Sequence, residues 1–172
     1  MGLVDRLGFS YHDQNALQRG IVRFVSTDFG SWAGKRLTPL LDRFVFRITA
    51  GGNTATSWFA GLPLIWLETI GRKTGKVRRQ PLLGFPLEQN LGLIGSNFGH
   101  PDHPGWALNL DSNPRARIEF EGKVVPVEAR RASPVEVEQI WDMAAQRYPG
   151  YARYRERVTN REILLFVLEE PR

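Results

Sequence analysis

The chain has 172 residues, 42% hydrophobic and 24% charged, the makeup of one globular domain with a sizeable core. It contains no cysteine, and its three histidines show no HxxxH spacing. A disulfide framework, an iron–sulfur cluster and a thiol nucleophile are thereby excluded, and no pattern for a dedicated zinc site or other metal centre remains. Lys and Arg number 23 against 18 Asp and Glu, a net charge of +5, which favours anionic partners: phosphorylated small molecules, nucleic acid or an acidic membrane surface.

The N-terminus, Met-Gly-Leu-Val-Asp-Arg, lacks the apolar core of a signal peptide. The longest apolar run, Ala60 to Leu67, is eight residues interrupted by Gly61 and Pro63, against about 20 for a spanning helix. A soluble, cytoplasmic protein is expected, with peripheral membrane contact as the alternative. Leu17, Ile21 and Phe24 give helical spacing over 12–25. Leu37, Leu40, Leu41, Phe44, Val45 and Ile48 form a clearer stripe, with Thr38 as cap, Pro39 at the first position and Gly51-Gly52 as stop. Lys35, Arg36, Arg43 and Arg47 lie on or near its polar side.

From residue 62 the texture becomes strand-like. Leu64–Ile70 reads as a central strand, 78–87 and 91–97 as two more around a Glu88-Gln-Asn90 turn, and Trp106–Leu110 as a short helix ended by Asn113-Pro114. Arg117–Glu121 and Val124–Val127 make a hairpin at Gly122. Ser133-Pro-Val-Glu136 is a capping box that starts a helix with Val137, Ile140, Trp141 and Ala144 on one face, ending near Arg147. Ile163–Leu168 is the last strand. About six strands with few helical crossovers predict a mainly β fold: an antiparallel sheet closing into a barrel, with an N-terminal helix on the barrel or over its mouth.

The most informative stretch is Gly71-Arg72-Lys73-Thr74-Gly75-Lys76-Val77-Arg78. Two glycines bracket a tight turn with four basic side chains and a hydroxyl, so exposed backbone N–H groups together with Arg and Lys are expected to form an anion nest. The G-x-x-x-x-G-K-[ST] pattern of a P-loop is absent. Tyr148, Tyr151 and Tyr154 recur every third residue, but Pro149-Gly150 interrupts the helix, so they are not expected to form a simple stripe. Of the three, Tyr154 is expected to face solvent. Each offers a stacking ring and a proton donor, or equally a half-buried packing group. His100 and His103 read as a polar loop, and Arg147–Arg161 as a solvated surface.

Four segments in order resemble the deazaflavin (coenzyme F420)-dependent nitroreductase and quinone reductase family: Gly71–Gly75 with Arg78 and Pro81; Gly95-Ser-Asn-Phe-Gly99; His103-Pro-Gly-Trp106-Ala-Leu-Asn-Leu110 with Asn113-Pro114; and Arg147–Tyr154. The resemblance runs from about Leu37 to Glu169. It implies a split β-barrel of the flavin-reductase and pyridoxamine-oxidase type over 37–172, preceded by an N-terminal helical segment over 1–36. It further implies that Arg72, Lys73, Thr74, Gly75, Arg78 and Pro81 grip the phosphate and polyglutamate tail of F420, and that Ser96, Asn97, Gly99 and Trp106 lie near the deazaflavin ring. Tyr148 and Tyr151 would then serve the reaction as proton donors, and Trp58, Phe98 and Tyr154 would line the acceptor side.

The function expected is transfer of a hydride from reduced F420 to an electron-poor quinone, enone or nitroaromatic, by a monomer or homodimer acting on a small molecule rather than on nucleic acid. Two alternatives stand beside it. One is the same barrel using FMN; the other is a basic module binding nucleic acid or a membrane surface.

Overall fold

The computed structural model describes residues 2–10, 64–147 and 150–171. The helices expected over 12–25 and 37–48, Trp58 and Tyr148 lie outside the described residues, as does the boundary at 36.

Seven strands form one antiparallel sheet: β1 (Leu64–Ile70), β2 (Val77–Leu83), β3 (Phe85–Leu87), β4 (Asn90–Gly95), β5 (Arg115–Phe120), β6 (Lys123–Arg131) and β7 (Leu164–Glu169). Their spatial order is β2-β1-β5-β6-β7-β4-β3. The two edge strands are thus consecutive in sequence, separated only by Gly84. The sheet curls until one chain segment, bent at that glycine, borders both of its ends, the half-barrel that the sequence predicts. The single strand expected over 78–87 is therefore two. A Cβ at Gly84 would fall 2.9 Å from Leu91 Cδ2, so a side chain there would require the buried Leu91 to shift.

Strand alternation fills the barrel. Ile65, Leu67 and Thr69 of β1 point inward, 0–2% exposed, while Trp66 and Glu68 face outward. On that outer face Arg79 lies 4.7 Å from the Trp66 ring centre and pairs with Glu119 at 2.8 Å. Strand β7 is apolar on both faces because both are covered. Leu164, Phe166 and Leu168 enter the barrel core, whereas Leu165 meets Phe85, Ile94, Ile140, Trp141 and Ala144 in a second cluster.

Four helices complete the described residues. The first, α1 (Leu3–Leu7), falls inside the helical segment expected over 1–36, ahead of the helix placed there at 12–25; it buries Leu3 and Leu7, and Phe9 follows with its ring 4.8 Å from that of Phe120. These residues share the barrel core with the strands. Helix α2 (Gly105–Ser112) extends the expected 106–110 segment and buries Trp106, Ala107, Asn109 and Leu110. Helix α3 (Pro134–Arg147) starts at the capping box as expected. The Ser133 N–H donates to Glu136 Oε2 at 2.8 Å, and the Glu136 N–H to Ser133 Oγ at 3.4 Å. The stretch expected to be a solvated surface forms helix α4 (Gly150–Arg157), whose Arg153, Arg155 and Arg157 are exposed as expected while Tyr154 is buried. Helical structure ends at Arg147 and starts again at Gly150. Among the described residues no helix is long and apolar enough to cross a membrane.

Candidate functional site

The Gly71–Lys76 turn joins β1 to β2 and is closed by its own backbone. Gly71 N–H donates to Lys76 O at 2.8 Å, and the N–H groups of Thr74 and Gly75 both donate to Gly71 O, at 3.0 and 2.7 Å. Lys76 N–H reaches Thr74 Oγ1 at 3.4 Å. Gly75 has φ +65°, which favours glycine. The Arg72 N–H is taken from outside the turn, by Asn109 Oδ1 at 3.1 Å. The nest of free backbone donors expected from the sequence is therefore corrected. The N–H groups of residues 71, 72, 74, 75 and 76 are spent on holding the turn, which leaves the side chains as its groups able to meet an anion.

Those side chains suit the task. Arg72, Lys73, Lys76 and Arg78 are exposed, and none forms an ion pair with a described carboxylate. Arg78 stands opposite Thr69, and Gln80 opposite Leu67, on the face of the sheet that carries the barrel core. Gln80 Nε2 is buried and has no acceptor among the described residues, an uncommon condition for an amide. Four cations and an orphaned amide donor fit a polyanionic ligand tail. Pro81 lies on the other face, opposite Trp66, where the missing N–H is tolerated on an edge strand.

Asn109 ties this turn to α2. Its Nδ2 donates to Thr69 Oγ1 at 3.0 Å while its Oδ1 accepts from Arg72. Thr69 and Asn109 are 2% and 8% exposed, so the bridge is shielded from water. Sequence reasoning quoted Asn109 inside a motif without giving it a role; its spacing of three from Trp106 on one helix was the available signal. Trp106 itself is a core residue, 6% exposed, with its ring 5.9 Å from Phe166.

The second group of predicted residues lies where β4 ends. The strand stops at Gly95, Ser96 is buried, and Asn97–Gly99 form a 3₁₀ turn instead of continuing the strand to 97. Asn97 has φ +48°, and its Nδ2 donates to Asp102 O at 3.0 Å. The side chain of Phe98 lies outside the described residues. Helix α4 packs here: a Cβ on Gly99 would be 3.5 Å from Tyr154 Cδ1. Tyr151 and Tyr154 share a helix face, with ring centres 5.7 Å apart, and Tyr151 also meets Phe85 and Trp141 edge-on. Tyr154 is 6% exposed, contrary to the solvent-facing position expected, because α4 turns that face toward α3 and the 3₁₀ turn. Tyr151 is half-buried.

The structure thus brings together Ser96, Asn97, Gly99, Tyr151 and Tyr154 at one place, and Arg72, Lys73, Thr74, Gly75 and Arg78 at another. Helix α2 connects the two, following the Ser96 loop in sequence and gripping the basic turn through Asn109. A separate groove of about 640 Å³ runs along Trp141, Val137, Val158 and Leu165, with Arg131, Arg155 and Arg161 on its margin. It contains none of the predicted site residues.

A curled antiparallel half-barrel is also the fold of a solved F420-H2 dependent reductase to which this chain is similar. The model of the F420H(2)-dependent quinone reductase family matches residues 43–170, and the chain belongs to that family. It is accordingly an oxidoreductase whose cofactor is coenzyme F420. A Mycobacterium tuberculosis protein described as an F420H(2)-dependent quinone reductase is 31% identical over 90 residues, covering 52% of this chain and 76% of that one. A solved F420-H2 dependent reductase, FDR-A, superposes with TM-score 0.56 at 34% identity, over 62% of this chain and 94% of its own. A structure described as a domain-swapped dimer superposes at 0.58 and 30%, over 77% and 98%.

Proposed function

We propose that the protein reduces a quinone with reduced F420, and that activated enones and nitroaromatics are accepted by the same chemistry. The observation that carries this reading is the basic turn: four cations without described carboxylate partners, on a backbone locked by its own hydrogen bonds and by Asn109. When bound, reduced F420 supplies a hydride from its deazaflavin ring, and carbon in place of the flavin nitrogen disfavours one-electron steps.

The residues divide the remaining work. Arg72, Lys73 and Arg78 would hold the phosphate and carboxylate tail, with the Thr74 hydroxyl as a further donor and Gly75 setting the turn. Lys76 and Gln80 extend that surface. Ser96, Asn97 and Gly99 would border the ring, and Trp106 would act from the core by fixing α2. Tyr148 or Tyr151 would deliver the proton that accompanies the hydride, directly or through a held water. Trp58, Phe98 and Tyr154 would give the acceptor side its apolar wall. The protein's contribution is binding, orientation and exclusion of water.

We further propose action as a monomer or homodimer in the cytoplasm. The test of the acceptor assignment is oxidation of reduced F420 against a panel of one quinone, one enone and one nitroaromatic. Turnover fastest with the quinone supports the reading. F420 binding without turnover of any of the three rejects all the acceptor classes.

A further inference from the structure

Arg161 lies between α4 and β7, and its guanidinium forms no ion pair with a described carboxylate. Backbone carbonyls surround it instead. Nη1 donates to Gly95 O at 3.3 Å and Glu162 O at 3.2 Å, Nη2 to Ser96 O at 3.0 Å and His100 O at 3.1 Å, and Nε to His100 O at 3.3 Å. Three of the four carbonyls belong to the Gly95–His100 loop. One rigid fork of five N–H donors therefore ties the start of that loop to its end. Burial pushes the Arg161 guanidinium below its usual pKa, and the charge of Asp102 offsets part of that. Placing a cation here costs solvation that no described ion pair returns.

Asn97 occupies the left-handed region at φ +48°, which asparagine adopts more readily than most residues with a side chain, and the Arg161 fork clamps the loop on both sides of it. In a trans peptide the carbonyl and the next N–H point to opposite sides. Drawing the Gly95 and Ser96 carbonyls onto Arg161 therefore turns the N–H groups of Ser96 and Asn97 away from the guanidinium.

We infer that Arg161 is a positioning residue that fixes the Gly95–His100 loop and aims the Ser96 and Asn97 backbone donors at the cofactor, an inference resting on the cofactor placement proposed above. It touches neither cofactor nor acceptor and acts only through the loop. Sequence reading assigned it to a solvated surface because an arginine used by carbonyls leaves no motif.

The test compares wild type, Arg161→Gln and Arg161→Lys by amide hydrogen exchange without ligand, by fluorescence titration with oxidised F420, and by the split of KM for F420 against kcat. In Arg161→Gln, exchange across 96–100 should rise by about tenfold or more while the Gly71–Lys76 turn stays protected. F420 affinity should fall by about tenfold, with KM for F420 rising in step. Arg161→Lys should recover part of both effects, since an ammonium keeps the charge but not the fork. If Arg161→Gln does not fold, Arg161→Lys carries the test. A loosened loop with unchanged F420 affinity and KM, in whichever variant folds, overturns the inference. If wild type itself fails to bind F420, the cofactor reading fails and the inference with it; normal wild-type binding with unaffected variants defeats the inference alone.

Discussion

Asn109, on a helix, holds the Arg72 backbone N–H at 3.1 Å while donating to the buried Thr69 hydroxyl at 3.0 Å. One amide therefore fixes the root of the basic turn from both sides, and the Arg72 N–H, which can only donate, requires the amide oxygen on its side. Asn109→Ala should leave the Thr69 hydroxyl and the Arg72 N–H without these partners, at a cost of about 1–3 kcal/mol in stability. Because the turn loses its outside anchor, F420 affinity should fall as well. Paired denaturant melts and cofactor titrations check this; a stability loss with unchanged affinity removes Asn109 from the binding account.

The basic side chains themselves should behave differently. Arg72→Ala and Lys73→Ala should each weaken F420 binding by roughly 1–3 kcal/mol, the scale of a lost charge-assisted hydrogen bond. Their melting temperatures should barely move, since both side chains are exposed. Normal affinity in both variants reduces the turn to a solvated hairpin.

The tyrosines are tested by removing hydroxyls and keeping rings. Tyr148→Phe with Tyr151→Phe should slow single-turnover reduction of a carbonyl-conjugated acceptor by about 10–100-fold, given typical general-acid contributions. F420 affinity should stay near wild type. Tyr151 packs edge-on against Phe85, Trp141 and Tyr154, contacts that Phe keeps, so a packing role alone predicts an unchanged rate.

Much of the sheet could be read from the chain because its physics is local. The apolar runs of β1 and β7 and the reciprocal Ser133–Glu136 cap each depend on neighbouring residues. What escaped depends on partners far away in sequence. The break at Gly84 follows from contact with Leu91 and from the sheet's closure. Helix α1 is five residues long and gains its place from the barrel core. Helix α4 follows a Pro-Gly pair that locally signals an end. At the site, the motif spacing located the basic turn, but not that its N–H groups are consumed internally, nor that Asn109 and Arg161 brace the two halves across 37 and 61–66 residues.

Acid stability should depend on Glu136. It accepts two hydrogen bonds from Arg130, at 2.7 and 2.6 Å, and one from the Ser133 N–H. The Arg130 bond chiefly holds its carboxyl down at about 2, against 4.5 when unperturbed. A carboxyl lowered on folding stabilises the protein fully above its unfolded value, and that contribution drains away as pH falls from about 4.5 toward 2. Glu136→Gln should therefore flatten the loss of stability in that window. At neutral pH it should cost on the order of 1 kcal/mol, the scale of a lost cap and surface pair. Urea melts at a series of pH values give the comparison.

The central claim, that this barrel holds a deazaflavin by its basic turn, is tested most directly by titrating the purified protein with oxidised F420, FMN and NADPH in parallel. The account predicts saturable F420 binding in the micromolar range or tighter, with FMN and NADPH weaker; the chain lacks a GxGxxG fingerprint for a dinucleotide. Tight binding of FMN alone, or equal binding of F420 and NADPH, would contradict it.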